Sequence, residues 1–559
     1  MAKRSKVKAN NGPDVAALLQ QVAELLSSTS DDLQQFVHSD VIASGLAAAG
    51  VASAELNSWD DPFSEAVASV NPAIATPSAV TFQTEDYPAL RTSIVGARPA
   101  PGLYNPGTSE FRYWVAAEAL SRGICFWGSL LPLGTTWSTA NPMQVSLVEA
   151  GTQLNANYTR TFGLRFYRQT VRSFDIYSCD SPDIVCHELG HAVLDALRPQ
   201  LFNAANTETS AFHESFGDMS AILCALQVPQ MRKRVMDETG GRLNTNSRLS
   251  RLAEQLGWGL RQITPLMVDR DCLRNAANSF FYKAPNLLPP LAEANLLSRE
   301  EHSFSRVFTG AFLDALARMF SAKSSQDDAG LVAVSRHFAQ LLIDAVHGAP
   351  VVDAYFSQVA AAMIQADQAR FGGRYNAELT GAFLEHGVLS VASALQMARE
   401  PVPTAIIPGQ GTASMAGGGP VVYSYEDRRA DDAHLRGFGE TPELPVRALT
   451  ITGDLVLNVH APEESQRFAV ASAAAGGTLA YADDSLSKDV AVQSFVEGLI
   501  QRQQVSLAME GESITAAGKK DTSRMTHTLV VEGGKTTLKR VCFSCGCPTQ
   551  PTRISCFYD

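Results

Sequence analysis

The sequence predicts an α+β protein: a lobe of mixed or antiparallel sheet, a mainly helical lobe, and a small β-rich domain at the C-terminus. Three observations lead there. Residues 146–168 alternate in short strand-like pieces, among them LNANY and LRFYR. From Ser181 to about Leu389 the apolar residues recur at helical spacing. Beyond the Pro- and Gly-rich stretch EPVPTAIIPGQGTASMAGGG, the segments LTITGDLVLNVHA and MTHTLVVEGGKTTLKRVCF read as strands again.

In chain order, residues 1–75 read as a leader, helical over 15–26 and partly flexible. Residues 76–180 form the sheet lobe, with a Pro/Gly linker, ARPAPGLYNPG, at 97–107 and an apolar helix over 111–126. Residues 181–398 form the helical lobe, with amphipathic segments at 304–320, 331–346 and 352–370 and a last helix over 376–385. Residues 399–421 are a linker, and 422–559 the β-rich domain.

A chain of 559 residues is long enough for two to four domains and a large core. The net charge of −12 speaks against a nucleic-acid or polybasic membrane partner. The one dense basic run, residues 3–8, reads as a solvated tail. No apolar stretch approaches the roughly 20 residues of a bilayer span, so no membrane span is expected. The start MAKRSKVKANNGPD has positive charge but no apolar run behind it, and lacks a conventional secretory signal. The expected location is cytoplasmic as synthesised, with export or injection by a dedicated machinery as the alternative. Nine cysteines, an odd count, fit a reducing compartment, the early ones serving as small buried apolar groups.

The chemistry concentrates in SPDIVCHELGHAVLDALRP, residues 181–199. Ser181 can cap a helix, Pro182 suits its first turn, Asp183 favours the positive end of its dipole, and Pro199 stops it. His187 and His191 are four apart, so both imidazoles leave one face and can grip one ion. Glu188 can reach a water bound to that ion. The next segment, TSAFHESFGDMSAILCAL, carries Phe212, Phe216, Met219 and Leu223 on a buried face. Glu214 and Asp218 share another face. Glu214 suits a third metal ligand, and Asp218 suits the acceptor that fixes a ligating histidine's tautomer. Two carboxylates on so apolar a helix are costly to bury without a counter-charge or metal.

HELGH followed by ESFGD resembles the active site of the thermolysin-like zinc metallopeptidases, a gluzincin family. The resemblance implies a thermolysin-like catalytic domain, one catalytic Zn2+, and endopeptidase activity on protein or peptide substrates. It carries His187, His191 and Glu214 as zinc ligands, Glu188 as general base and Asp218 as partner of a zinc histidine. LNANY resembles the edge strand that hydrogen-bonds substrate backbone, which implies Asn155 and Ala156. DCLRNAANSF resembles the segment whose arginine holds a substrate carbonyl, here Arg274, a structural salt bridge being the other reading. EEHSFSRVFTGAF resembles the segment whose histidine stabilises the tetrahedral intermediate, here His302. The similarity covers roughly residues 110–395.

The sequence also departs from the family. Asn157 stands where an aromatic usually follows the alanine. Phe202 lies near the position of a tyrosine that assists the downstream histidine. The residue before the third ligand, often Asn, is His213. An aspartate normally orients the downstream histidine, and Glu300 or Glu301 would have to substitute. Asp183 matches a calcium-ligand position, but Ala225 falls where a calcium-binding glutamate belongs, so stabilising calcium is not expected. A helix starting near Ser303 disfavours charge on His302, while Glu300 and Glu301 favour it.

Cys542, Cys545, Cys547 and Cys556 crowd the tail. They could bind a second, structural zinc, form disulfides outside the cell, or remain a reactive tail. Two further functions stand beside the endopeptidase: a binding or structural module of low or no activity, and an aminopeptidase.

Overall fold

The computed structural model describes residues 53–57, 77–81, 87–149, 154–391, 444–452, 455–462, 488–506 and 525–545. The protein is mixed α+β, with about 48% helix and several sheets. The helix expected over 15–26, the linker 399–421, Cys547 and Cys556 lie outside the described residues.

The leader is not wholly helical. Strand β1 (Ser53–Asn57) pairs antiparallel with β2 (Pro77–Thr81). Next come β3 (Thr92–Ile94) and helix α1 (Ser109–Gly128), which is capped by the Thr108 side chain and buries Trp114 and Trp127 completely. Strands β4 (Met143–Glu149), β5 (Ala156–Thr159) and β6 (Gly163–Val171) follow, as the alternating pattern over 146–168 predicts, and β7 (Phe174–Tyr177) lies beyond that pattern.

Helix α2 (Pro182–Leu197) starts as expected. Ser181 accepts from the Ile184 N–H, and the helix ends just before the residue preceding Pro199. Helix α3 (Thr207–Ala225) is capped by Asn206, which accepts from Glu208 and Thr209. Both helices are buried on every side, α3 included, where one buried face was expected. They pack closely because glycines meet. A Cβ on Gly190 would lie 2.8 Å from the Ser220 Cβ and 3.0 Å from the Gly217 Cα.

The helical lobe continues with α4 (Pro229–Thr239), short β8 (Arg251–Leu252), α5 (Glu254–Arg261) and short β9 (Arg274–Asn275), which pairs with β8. Helices α6 (Glu301–Ser321), α7 (Asp328–Gly348), α8 (Tyr355–Phe371) and α9 (Asn376–Glu385) complete it, close to the periodicity's bounds. By length and composition α7 could cross a membrane. In the fold 67% of its apolar window is buried, and core packing accounts for its apolarity.

The C-terminal unit is not purely β. Strands β10 (Val446–Thr452) and β11 (Leu455–His460) are followed by α10 (Lys488–Gln501), β12 (Val505–Ser506), β13 (His527–Glu532) and β14 (Lys535–Arg540). The sheet order is β10-β11-β14-β13-β12, and α10 buries Val492, Phe495, Val496 and Leu499 against it. The last strand, β15 (Phe543–Ser544), leaves this unit. It joins the other sheet, whose order is β15-β5-β6-β4-β3, with β7 on β6. Phe543 and Cys545 therefore belong to the core of the main body. The expectation that the tail stays within the C-terminal domain is corrected on this point.

Candidate metal centre

Helices α2 and α3 bring the expected groups together. His187 and His191, one turn apart, present rings 4.7 Å apart and nearly perpendicular. Glu214 faces both, at 3.3 Å from His187 Nε2 and 3.7 Å from His191 Nε2. Two donors on one tetrahedral ion, each at zinc-ligand distance, stand about 3.4 Å apart. The three groups lie within reach of a common metal ion. All are buried, and His187 Nε2, His191 Nε2 and both Glu214 oxygens make no hydrogen bond. Buried polar atoms without partners cost about 1–3 kcal/mol each. An ion held between them would satisfy all four. Two imidazoles and a carboxylate are the donor set of a zinc site with an open position.

Each imidazole is held from behind. His187 Nδ1–H donates to Asp218 Oδ1 at 3.0 Å, which leaves Nε2 free for an ion. Burial opposes charge on this ring, but the Asp218 and Glu214 carboxylates outweigh it and raise the pKa to about 9. His191 Nδ1 lies 3.0 Å from His213 Nδ1. Burial lowers His191 to about 3 and takes His213 well below the ordinary histidine value, so both rings are neutral and one donates to the other.

Glu188 is fully buried, and both its oxygens lack a hydrogen-bond partner. Burial raises its carboxyl to about 8, against the pull of His187. A carboxyl so placed can take up and give back a proton near neutral pH.

Arg274 lies behind Asp218. Its Nη2 meets Asp218 Oδ1 at 2.7 Å and its Nε meets Oδ2 at 3.1 Å. The salt-bridge reading of this arginine is the one seen. Only Nη1, buried and without a partner, is left to face a substrate.

His302 sits in the first turn of α6. Its Nδ1–H donates to Glu300 Oε1 at 2.7 Å, its Nε2–H donates to the Ser544 carbonyl at 2.7 Å, and Nε2 lies 3.2 Å from Glu214 Oε2. Burial opposes charge, but Glu214 and Glu300 hold its pKa well above the ordinary histidine value. The carboxylates win over the helix dipole. Glu300 is the orienting acid. Glu301 is engaged elsewhere, at 3.1 Å from Arg540.

Phe202 brings no hydroxyl. It is buried edge-on against Tyr158 and Phe543, beneath the Arg160 guanidinium. Asp183 accepts from the Ala253 N–H and joins no metal-holding group among the described residues.

Asn155 and Ala156, at the start of β5, are already engaged, and by the chain's own tail. β15 runs antiparallel to β5, with Phe543 opposite Tyr158 and Ser544 opposite Asn157. The Cys545 N–H donates to the Ala156 carbonyl at 2.9 Å. Asn155 Nδ2 donates to Ser544 Oγ at 2.8 Å. The Phe543 ring stacks on His213 at 3.8 Å and on His191 at 4.8 Å. Cys542 and Cys545 are buried and unpaired, and burial raises both thiols to about 12. Cys542 faces the Met525 carbonyl, whereas the Cys545 thiol, a His187 nitrogen and a Glu188 oxygen lie within 4.8 Å of one another. The two do not form one thiolate site.

Sequence reasoning missed two things. In the sequence His213 stands out only as a residue where Asn is common, and its contact with His191 depends on the approach of α2 to α3. The tail strand was missed because no local pattern marks its partner.

The chain matches no protein-family profile and no curated protein.

Proposed function

We propose that this chain is a zinc-dependent endopeptidase with a thermolysin-like catalytic unit. One observation carries the reading. His187, His191 and Glu214 converge with unsatisfied donor atoms beside a buried Glu188 that also lacks a partner.

The bound ion would supply an acidified water and a polarised peptide carbonyl. The remaining work falls to side chains. Glu188 removes a proton from the attacking water as its oxygen adds to the carbonyl carbon. It returns that proton to the nitrogen as the C–N bond breaks, leaving a carboxylic acid and an amine. His302, carrying both ring protons and oriented by Glu300, donates to the oxygen that gains charge. Asn155 and the Ala156 carbonyl hold the substrate main chain as an added strand beside β5. Asp218 keeps His187 in the tautomer that binds metal, and Arg274 fixes Asp218. With Phe202 in place of a hydroxyl donor, His302 acts alone on the oxyanion. The absence of one such donor costs on the order of a hundredfold in rate.

Zinc content and casein cleavage test the reading, with Glu188→Gln as the comparison. The expected result is zinc in both proteins and cleavage only by Glu188→Gln's parent chain, once its cleft is accessible. Equal cleavage by both would remove Glu188 from the mechanism. Zinc in both without cleavage by any accessible form would favour a binding module.

A further inference from the structure

The cleft that a substrate would need is filled by the chain itself. β15 adds to the free edge of β5 in antiparallel register, and its backbone meets the site at two points. The Ser544 carbonyl faces His302 Nε2 at 2.7 Å, and the next amide, that of Cys545, donates to Ala156 at 2.9 Å. One peptide bond thus has its oxygen on the oxyanion donor and its nitrogen on the edge strand. Side chains anchor the segment on both flanks. Phe543 is fully buried between His191, His213 and Phe202. Arg540 lies over the Phe543 ring and binds Glu301 and Ser210. The Cys545 thiol occupies the space before His187 and Glu188.

We propose that residues 540–545 are a built-in occupant of the cleft, laid down in the register of a substrate with the Ser544–Cys545 bond at the reacting position, which keeps the site closed to other peptides. The proposal rests on the peptidase reading for its purpose, but not for its geometry. Backbone hydrogen bonds give such an added strand its affinity, and side-chain pockets give it its register. Because the occupant is tethered, its effective concentration at the cleft far exceeds that of a free peptide. The C-terminal unit holds it in place through contacts of its own. Ala205 N–H donates to the His460 carbonyl at 2.8 Å, and Arg299 donates to Ser494 at 2.9 Å.

The test uses the full zinc-loaded chain, its Phe543→Asp variant, and a fluorescent peptide of sequence KRVCFSC, residues 539–545. The variant places a carboxylate against two aromatic faces and the site's own acids, and should expel the strand. It is expected to bind the peptide at least about tenfold more tightly than the wild type, whose competent fraction is small. Casein cleavage should rise by a similar factor. In the wild type the Cys545 amide should be strongly protected from hydrogen exchange. Equal peptide binding by the two proteins, with an unprotected Cys545 amide in the wild type, would overturn the proposal. Peptide binding by the variant without any cleavage would leave the occupant standing and remove the peptidase. Equal casein cleavage by both proteins would do the reverse. Should Phe543→Asp fail to fold, Cys545→Pro removes the amide that pairs with Ala156 and so provides a second opening of the strand, and the wild-type exchange measurement decides independently. A self-cut at Ser544–Cys545, with water adding to the Ser544 carbonyl and Cys545 leaving as an amine, would report the same register.

Discussion

At the scale of single residues, the groups behind the ligands set how well the site holds an ion. Asp218 is a charged acceptor for His187, whereas His213 is a neutral one for His191. Removing either should weaken zinc binding roughly 10–100-fold, as loss of such partners typically does. Chelator competition on Asp218→Ala and His213→Ala measures this. Glu300 acts differently, because it touches His302, the proposed oxyanion donor, and none of the proposed ligands. In a chain with an accessible cleft, Glu300→Gln should lower kcat while leaving KM and zinc affinity nearly unchanged, which steady-state kinetics would show. The convergence of His187, His191 and Glu214, with Glu188 and Asp218 beside them, was legible because helical spacing fixes which side chains share a face. The choice between Glu300 and Glu301 was not. Neighbouring residues on a helix point about 100° apart, and only the packed neighbours reveal which one meets His302. The same holds for His213, whose partner comes from another helix.

At the scale of elements, the centre depends on two helices approaching closely at glycine. A Cβ on Gly217 would fall 2.6 Å from the His187 ring. Gly217→Ala should therefore cost about 1–3 kcal/mol in stability by overpacking, and should weaken zinc binding by displacing His187. Thermal unfolding with and without zinc separates the two effects. Helix α7, away from the site, carries a half-buried titratable group. His337 there lies 2.8 Å from the Tyr375 hydroxyl, and burial, aided by Lys323 and two arginines, lowers its pKa to about 4. Between the ordinary histidine value and about 4 the unfolded chain binds the extra proton and the folded one does not. Stability should therefore fall as pH drops through that window, and His337→Gln should lose less over the same range in denaturant titrations. Helix positions in this lobe were legible because the amphipathic pattern is long and the caps are explicit, Ser181 and Asn206 among them. Helix α10 was hidden within a stretch read as β-rich. Its apolar residues have meaning only against the sheet they cover.

At the scale of the whole molecule, the mixture of helix and sheet is legible in the sequence, but not how the last strand joins the sheet of the main body. Asn155 and Ser544 bond across a separation of 389 residues. Pairings at such distance leave no local trace, since any strand with a suitable edge can accept another. The tie has an energetic signature. Arg540 and Glu301 are both almost completely buried, and removal of one member of a buried pair leaves an uncompensated charge. Arg540→Ala should destabilise the chain by about 3–5 kcal/mol, read by denaturant unfolding. At the centre of the molecule, His187, His191 and Glu214 are proposed to hold one divalent ion. Zinc stoichiometry and affinity of the wild type, compared with the chain carrying all three residues as alanine, tests it most directly. One zinc per wild-type chain, with binding on the order of a hundredfold or more weaker in the variant, is the predicted result. Equal zinc binding by the two proteins would contradict it.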